Sequence, residues 1–427
     1  MPVNKYAFSY ACSLFWVYYK QFIARVQGSN LIFWNNLNFA MQHLMRRYLK
    51  MRLQTSIDFI KADVDKHKLV ISSERPLDVL SSAVHNGGFR KANKIISIHV
   101  PEDNDENCDR NYEDLDKELH ENPEIVLKRA LIKLGIDQDA VVGIMTHADV
   151  RNVDVSHQRH QNITLSAFVT AGVEVAATAG ELTISKPNSS KIDPVGTINI
   201  ILLIDGNLTE SCMVDTLKTV IEAKTVALRE LDIRSCFSGD LASGTVTDSV
   251  VVACTKRGKS IKYAGTATVL GELVGKSVKK SLRKTLYNEQ QVVADRCLTK
   301  RLKERKICLE HAMNLFLGTH PKLAEHFDQF KEEVQQVLSD PKVAPFVIAG
   351  FRLDDDVKAG LIPRDMFDKS MIIEIFETAV INCLCNKNQS ENLKLDDARL
   401  AAVDNLGDFV GSIIAAIMSC VYSNMCD

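Results

Sequence analysis

The 427-residue sequence has almost no net charge, because 52 Lys and Arg residues are balanced by 54 Asp and Glu residues, a formal charge of -2. This balance argues against the strongly basic composition of chains that bind nucleic acid or anionic membranes through charge alone. The basic segment 284–306 also lacks the interleaved aromatic residues of a single-strand-binding surface. We therefore expect no nucleic-acid partner.

The eleven cysteines are scattered and form no CxxC pair. Four of them fall inside apolar patterns, where a reduced cysteine packs as a small hydrophobic residue: Cys212, Cys254, Cys383 and Cys420. Cys383 and Cys385 lack nearby His or Cys partners that would complete a tetrahedral metal site. We expect a reduced protein in the cytoplasm.

A spanning segment is missing near the N-terminus, because the apolar run from Tyr6 to Tyr19 is too short and lacks the cleavage site of a signal peptide. Residues 1–50, rich in aromatics and Asn, fit an interfacial anchor, a helical appendage, or sequence upstream of a natural start at Met51, which we favour. Residues 1–53 are thus an N-terminal extension, and membrane association is expected only through residues 1–50. We expect no spanning segment in residues 307–427.

Residues 196–231 predict a strand, a polar turn and an amphipathic helix. The β-branched run from Thr197 to Ile204 is typical of a strand buried on both faces. Thr209 is expected to cap the following helix. One helix face is predicted from residues at helical spacing: Val214, Leu217, Ile221, Lys224, Leu228 and Leu231. Because ligands in open α/β sheets collect beyond the carboxyl ends of strands, Asp205 and Glu210 are candidate site residues.

Other predicted strands cover residues 68–73, 77–83, 141–145, 163–170 and 249–254, and helices cover 124–135 and 270–282. The turn His85-Asn86-Gly87-Gly88 allows positive φ and close approach of the backbone to a ligand, although a turn-forming Asn is the commoner explanation. Thr245 and Asp248 precede a buried strand, where such residues form either an anion-binding nest or an ordinary turn.

The polar, basic segment 284–306 is interpreted as a helical linker between two domains. Residues 54–283 are predicted to form an α/β (or α+β) domain with a central buried sheet. Residues 307–427 are predicted to form a small all-α domain, with helices at 309–317, 323–338, 343–357, 365–384 and 408–420. Six acidic residues lie on or beside apolar helices: Asp354, Asp355, Asp356, Glu374, Glu377 and Asp408. Each alone fits a solvent-facing charge, but together they favour a divalent-metal site in a helix bundle.

Seven stretches between residues 54 and 280 resemble the adenosylcobinamide amidohydrolases of corrinoid salvage, in the order of that family. They are SSAVHNGG (81–88), GIMTHAD (143–149), TAGVEVAATAG (170–180), GTINIILLIDGNLTESCMV (196–214), EAKTVALREL (222–231), SGTVTDSVVVA (243–253) and YAGTATVLGELVGKSV (263–278). The resemblance implies hydrolysis of the amide between a propionyl arm of the corrin ring and aminopropanol, which releases adenosylcobyric acid. The corrinoid is the substrate, and no organic cofactor is implied. Val175 and Ala267 stand where Asn and His are common in the family.

Residues 307–427 look like the phosphatidylglycerophosphatase A superfamily, which includes archaeal α-ribazole phosphatases. The resemblance is carried by ICLEHAMNLFL (307–317), AGFRLDDDVKAGLIP (349–363), IEIFETAVIN (373–382) and DFVGSIIAAI (408–417). It implies that α-ribazole 5'-phosphate is dephosphorylated with a divalent cation, Mg²⁺, held by Asp354, Glu374 and Asp408. Gly407 occupies one position of a usual aspartate pair, with Asp404 or Asp356 as substitutes. A chain that joins both modules is similar to the bifunctional salvage enzyme of archaea.

Amide hydrolysis needs an activated water or nucleophile, an oxyanion stabiliser and a proton for the leaving amine. The residues considered for these tasks fall into three groups: His147, Asp149, Asp205 and Asp248 for acid–base or metal chemistry, Thr197 and Thr245 as hydroxyl groups, and Asn86, Gly87, Gly88 and Glu210 for substrate binding. A lone histidine such as His147 is more often structural.

Two other functions remain open: a corrinoid-binding module without amidase activity, and a membrane-associated phosphatidylglycerophosphate phosphatase. The sequence does not specify the oligomeric state, and a homo-oligomer is compatible with it.

Overall fold

The computed structural model describes residues 50–100, 121–181, 196–362, 368–384, 403 and 406–426. Most of the predicted N-terminal extension, together with Cys385 and Asp404, lies outside the described residues. The strands are β1 (Met51–Leu53), β2 (Ile60–Val64), β3 (Lys68–Ser81), β4 (Gly88–His99), β5 (Val141–Thr146), β6 (Asp154–His160), β7 (Ile163–Ala171), β8 (Ala176–Ala177), β9 (Ile198–Asp205), β10 (Asn207–Leu208), β11 (Gly244–Thr245), β12 (Ser249–Cys254) and β13 (Ser260–Ile261).

The helices are α1 (Pro123–Lys133), α2 (Glu210–Glu230), α3 (Val269–Gln290), α4 (Leu298–Glu304), α5 (Leu309–Thr319), α6 (Phe327–Leu338), α7 (Ala344–Lys358), α8 (Lys369–Leu384) and α9 (Asp408–Cys426). Two 3₁₀ helices, Val150–Asn152 and Pro321–His326, complete the regular structure. Within residues 307–427, all regular elements that the structure describes are helical, so the prediction of a sheet region followed by a helical region is confirmed.

The long strand β3 joins the two halves of the main sheet. One edge of β3 pairs with β2 and then with β12, while β4 runs along the other edge. The register of β3 with β4 shifts between Ser72 and Leu77, so the two short strands predicted here are halves of one irregular strand. The sheet order is β1-β2-β3-β12-β9-β7-β6, and β5 pairs with β4. The β12–β9 and β4–β5 pairs are parallel, so the sheet is mixed.

Strands β4 and β6 were not predicted from the sequence. The first half of β4 is largely exposed and carries Arg90, Lys91 and Lys94, so its apolar alternation is visible only in its second half. β6 is similarly polar and lies at the edge of the sheet. Charged residues on exposed strand faces hide the period of two on which a strand prediction depends.

Strand β9 is buried on both faces, as its β-branched sequence predicts. Its residues Ile198, Ile200, Leu202 and Ile204 pack in a core shared with α2 and α3. Ile201 and Leu203 face a second core, which strands β2, β3 and β5 help to form. Both faces of the sheet centre are therefore covered, and polar chemistry is confined to the strand ends.

Helix α2 begins as predicted, because Thr209 Oγ1 accepts a hydrogen bond from the Cys212 backbone N–H at 3.1 Å. Its buried face differs from the predicted one, since Val214 and Ile221 are 59% and 43% exposed. Threonine residues occupy part of the buried face of α2 instead. Thr219 is buried, and its hydroxyl donates to the Ala264 carbonyl at 2.8 Å. A buried polar residue with a hydrogen-bond partner does not register in a pattern of apolar residues.

Helix α9 lies at the centre of the helical region and packs against α6, α7 and α8. By length and composition Asp408–Met425 could cross a membrane, which corrects the prediction that residues 307–427 hold no such segment. In this structure 72% of that window is buried inside the protein. The core helix of a soluble bundle has the same composition, so α9 alone does not indicate a membrane location.

A network of ion pairs joins the sheet region to the helical region. Asp232, just after α2, accepts from Arg305 at 3.0 Å, and Arg234 donates to Asp355 of α7 at 3.0 and 2.7 Å. Burial alone would raise the pKa of Asp232, but the charges of Arg305 and Arg234 outweigh it and lower the pKa. The Arg305 guanidinium also stacks 4.1 Å from the ring centroid of Phe351. These contacts fix the helices against the sheet region.

Asp354 of α7 caps the N-terminus of α9. Its Oδ1 accepts from the Phe409 N–H at 3.1 Å, and its Oδ2 accepts from the Val410 N–H at 3.0 Å. A Cβ at Gly407 would lie 2.0 Å from Asp354 Cγ. The absence of a side chain at residue 407 is therefore what allows the carboxylate to reach the helix end.

We expect Gly407→Ala to lower the free energy of unfolding by about 1–3 kcal/mol, because the new methyl group displaces the cap. Gly411→Ala is the matched control in the same helix, where the nearest atom to an added Cβ is Leu406 Cδ2 at 3.4 Å. Loss of a helix-interior glycine should leave stability unchanged or raise it by up to about 1 kcal/mol. Urea unfolding followed by circular dichroism measures both, and equal stability of the two variants would show that the cap is dispensable.

Candidate active site

Asp248 is the centre of a hydrogen-bonded cluster where β9 and β12 begin. Its Oδ1 accepts from the Ile198 N–H at 3.1 Å and from the Thr245 hydroxyl. Its Oδ2 accepts from the Thr245 N–H at 3.1 Å and from the Lys224 ammonium group. Beside it, the hydroxyl groups of Thr197 and Thr247 lie 2.7 Å apart. The carboxylate thus has four donors, one of them a hydroxyl that is only half-buried.

Lys224 reaches Asp248 from α2 and is 7% exposed. A Cβ at Gly244 would lie 2.4 Å from Asp248 Oδ2 and 2.7 Å from Lys224 Nζ, so only glycine fits beside this ion pair. The sequence pattern places Lys224 on an apolar helix face and predicts no chemical role for it. A lysine within an otherwise apolar helix face was the available signal, since lysine is rarely buried without a partner.

Gly172 brings three loops together at the Asp248 end of the sheet. A Cβ at Gly172 would lie 3.1 Å from Gly196 Cα and 3.8 Å from Ala148 Cβ. Asn199 Nδ2 also donates to the Met145 carbonyl at 2.8 Å, which ties β9 to the end of β5. Five of the predicted site residues therefore share this end of the sheet: His147, Asp149, Thr197, Thr245 and Asp248.

The loop after β5 is fixed by its own contacts. Arg151 Nε donates to both oxygens of Asp149 at 2.8 and 2.9 Å, and Glu289 of α3 accepts from the Asp149 N–H at 2.8 Å. Burial acts to raise the pKa of Asp149, but the hydrogen bonds from Arg151 outweigh it and hold the pKa below its usual value. The carbonyl of His147 accepts from the His99 ring at 3.2 Å. Asp149 is thus an ionised, structurally engaged carboxylate.

Asn86 has the geometry of a turn residue. Its φ is 57°, and its amide donates to the carbonyls of Gln138 and Val141 at 2.6 and 2.8 Å. Gly87 approaches the backbone closely, since an added Cβ would lie 2.4 Å from the Ala83 carbonyl oxygen, and Gly88 has a φ of 80°. These contacts close the turn at the start of β5, and the Asn86 amide donors are used within it.

Asp205 and Glu210 lie at the other end of β9. The eight residues of β9 separate Asp205 from Thr197 by roughly 26 Å. Burial acts to raise the pKa of Asp205, but hydrogen bonds from Arg257 Nε at 2.8 Å and Thr255 at 2.6 Å lower it. The predicted catalytic residues therefore lie at two opposite ends of the sheet, and Asp205 and Asp248 cannot act on the same amide.

The two departures from the family pattern fall at opposite ends as well. Val175 is buried and precedes β8, which pairs with β11 next to Asp248. Ala267 is exposed in the loop between β13 and α3, at the Asp205 end. Ala267 is thus remote from the Asp248 cluster.

The acidic residues predicted to bind Mg²⁺ do not form one site in the described residues. Glu374 is exposed, Asp408 pairs with Lys369, and both oxygens of Asp354 cap α9. Burial, together with the nearby charges of Asp408 and Asp355, raises the pKa of Asp354 to about 6, although the two backbone N–H groups lower it. Among the described residues, no group of three His, Cys, Asp or Glu side chains could hold a metal ion. These acids do not fit a resident cation.

A row of buried polar side chains was missed by the sequence analysis. Thr170, Asn199 and Ser249 are neighbours on β7, β9 and β12. Thr170 Oγ1 and Asn199 Oδ1 have no hydrogen-bond partner among the described residues. Buried polar atoms normally have one, so we expect a water or a substrate group there. An Asn inside a β-branched run was the available signal.

We expect Gly244→Ala to destabilise the protein by about 3 kcal/mol or more, because its methyl group separates the buried Lys224–Asp248 pair. Gly275→Ala in α3 is the control, since an added Cβ at Gly275 meets no atom within 4 Å. Thermal unfolding of both variants measures the difference. A Gly244→Ala variant as stable as Gly275→Ala would contradict the close approach described here.

Comparison of the sequence with known proteins shows to which family the chain belongs. The curated relatives include an uncharacterized protein of Methanocaldococcus jannaschii, 33% identical over 178 residues that cover 38% of this chain and 69% of that protein. They also include adenosylcobinamide amidohydrolases of Methanosarcina mazei, 30% identical over 38% of this chain and 74% of that protein, and of Halobacterium salinarum, 29% identical over 29% and 54%.

One solved structure, a protein of Pyrococcus horikoshii, aligns with a TM-score of 0.26 and 13% identity, covering 56% of this chain and 83% of that chain. A likeness this low carries no argument about fold or function. The family model described as adenosylcobinamide amidohydrolase matches residues 51–294, which include the main sheet, α2, α3 and the complete Asp248 cluster. This chain belongs to the adenosylcobinamide amidohydrolase family.

Proposed function

We propose that this protein hydrolyses the amide of adenosylcobinamide between the propionyl arm and aminopropanol, and that the Asp248 cluster performs the reaction. Family membership over residues 51–294 supports the substrate and the bond. The observation that carries the choice of site is the hydrogen bond from the Thr245 hydroxyl to Asp248, which Lys224 in turn holds. A hydroxyl, a base and a group that orients the base form the usual arrangement for an activated nucleophile.

In this proposal Asp248 takes the proton of Thr245 while Thr245 Oγ1 attacks the amide carbon. Asp248 then returns the proton to the amine, so that aminopropanol leaves and an ester remains on Thr245. In the second half, Asp248 takes a proton from water, the water oxygen attacks the ester, and the proton returns to Thr245. The products are adenosylcobyric acid and the free enzyme.

Lys224 has an electrostatic role in this scheme. Its ammonium group occupies Oδ2 and leaves Oδ1, which also accepts from Ile198, directed toward Thr245. The two backbone N–H groups fix the carboxylate plane. The base is thus held in position before the substrate arrives, which saves the cost of orienting it during the reaction.

We expect Thr245→Val and Asp248→Asn to lower kcat at least 100-fold, because each removes a group that moves a proton or forms the ester. Thr245→Ser keeps the hydroxyl and should keep measurable activity. Thr255→Val, which removes a hydroxyl at the Asp205 end, is the matched control and should retain wild-type activity. Mass spectrometry of adenosylcobyric acid provides the measurement.

Circular dichroism establishes whether each variant is folded. If Asp248→Asn destabilises the protein, the nearly isosteric Thr245→Val still tests the role of the Thr245 hydroxyl. Activity that survives Thr245→Val and is lost in Asp205→Asn would move the site to the other end of the sheet. Corrinoid binding by the wild-type chain without product would instead favour a binding module without amidase activity.

The second activity, dephosphorylation of α-ribazole 5'-phosphate, stays a prediction. Residues 295–427 lie outside the family match, and the described acids of the helical region do not converge on a cation. The cytoplasmic location likewise stays a prediction, consistent with the free cysteines of the described chain.

A further inference from the structure

A cleft of about 890 Å³ separates the sheet region from α4. One wall is built by residues of the family region, among them Val173, Glu174 and Gln290. The opposite wall is built by α4 and Lys306, which lie beyond the family match. The volume falls in the range of small-molecule sites. The cleft is therefore a candidate binding site, one wall of which is formed by α4 and Lys306.

The cleft begins next to the Asp248 end of the sheet. Gln290 Oε1 accepts from the Val173 N–H at 3.0 Å, and the preceding residue Gly172 contacts Gly196 at the start of β9. Glu289, also in the cleft wall, holds the Asp149 backbone N–H. A substrate whose amide reaches Thr245 can therefore extend into this cleft.

The cleft wall formed by α4 and Lys306 carries three cations that are not in ion pairs. Lys300, Lys303 and Lys306 line the cleft, and none of them has an ion pair or hydrogen bond from its side chain among the residues that the structure describes. Glu174, exposed on the opposite wall, is also without an ion pair there. Three ammonium groups against the two carboxylates of Glu174 and Glu289 leave an excess of positive charge.

The other charged groups of the cleft are already paired. Arg234 pairs with Asp232 and Asp355, and Glu304 pairs with Arg296. Arg301 of α4 also donates to Asp232 at 2.9 Å, so α4 is held firmly against the sheet region. Exposed lysines usually face only solvent, but these three lie on a fixed helix and its C-terminal end, along one concave wall. Their position favours an anionic ligand group.

We propose that Lys300, Lys303 and Lys306 bind a phosphate ester on the substrate, so that the preferred substrate is a corrinoid whose aminopropanol arm is phosphorylated. This inference rests on the proposed amidohydrolase function. The leaving aminopropanol carries one hydroxyl group besides its amine, and that hydroxyl is where a phosphate ester can form close to the scissile amide. A phosphate presents more charge and more acceptor oxygens than a carboxylate, and thus matches several ammonium groups.

The test compares adenosylcobinamide with adenosylcobinamide phosphate on the full chain. For the wild type we expect a KM about tenfold or more lower for the phosphorylated substrate at low salt, and a smaller difference at high salt because salt screens exposed charges. In the variant with Lys300→Gln, Lys303→Gln and Lys306→Gln, this KM advantage should be lost while kcat and the KM for adenosylcobinamide stay within about twofold.

The matched control carries Lys259→Gln, Lys262→Gln and Lys322→Gln. These exposed lysines also have no side-chain partner among the described residues and do not line the cleft, so this variant should retain the wild-type preference. Equal loss in both variants would show a general charge effect and overturn the proposal. Equal KM values of the wild type for the two substrates would overturn it as well.

Inorganic phosphate distinguishes a substrate arm from a free anion. If phosphate competes with adenosylcobinamide phosphate but not with adenosylcobinamide, the proposal is supported. If phosphate binds but the protein shows no preference for the phosphorylated substrate, the cleft is assigned to free phosphate. Equilibrium dialysis separates failure of this inference from failure of the proposed function. If no variant hydrolyses either corrinoid, a lysine-dependent preference in binding still supports the cleft, and its absence refutes it.

Discussion

The Lys224–Asp248 ion pair is the constraint on which the candidate site depends. It ties α2 to the starts of β9 and β12 and to β11, because Asp248 also accepts from Ile198 and Thr245. A buried charge without its partner costs several kcal/mol, and the full set of donors offsets that cost here. The same contacts that stabilise the sheet end therefore aim one carboxylate oxygen at a hydroxyl. Stability and proposed chemistry depend on the same atoms.

A second electrostatic constraint sets where the helices lie. Arg234, Arg301 and Arg305 meet Asp232 and Asp355 at the junction, and the guanidinium of Arg305 rests on Phe351. Planar guanidinium groups suit such a site because each can donate to two carboxylates at fixed angles. The result is a firm placement of α4, which turns a helix outside the family region into a wall of the cleft.

The sequence predicted the buried strands and most helices, because apolar runs and caps such as Thr209 are local signals. The sequence-based prediction failed for strands with polar faces and for contacts between residues far apart in the chain. β4 and β6 carry charges on their exposed faces, and the Lys224–Asp248 contact joins residues 24 apart that no pattern links. Five of the predicted site residues lie at one end of the sheet, while Asp205 lies at the other. The sequence does not show which strand ends the neighbouring loops share.

Asp354 shows why acids near apolar helices are a poor guide to a metal site. A helix N-terminus presents N–H groups without partners inside the helix. A carboxylate is as suitable a partner for these groups as it is a ligand for a cation. Gly407 decides between these uses, since any side chain there would occupy the space of the Asp354 carboxylate. The Phe409 and Val410 N–H groups each bind one oxygen of Asp354 and hold its carboxylate at the end of α9. Among the described residues Asp354 therefore serves as a helix cap, and a phosphatase activity of residues 307–427 stays a prediction.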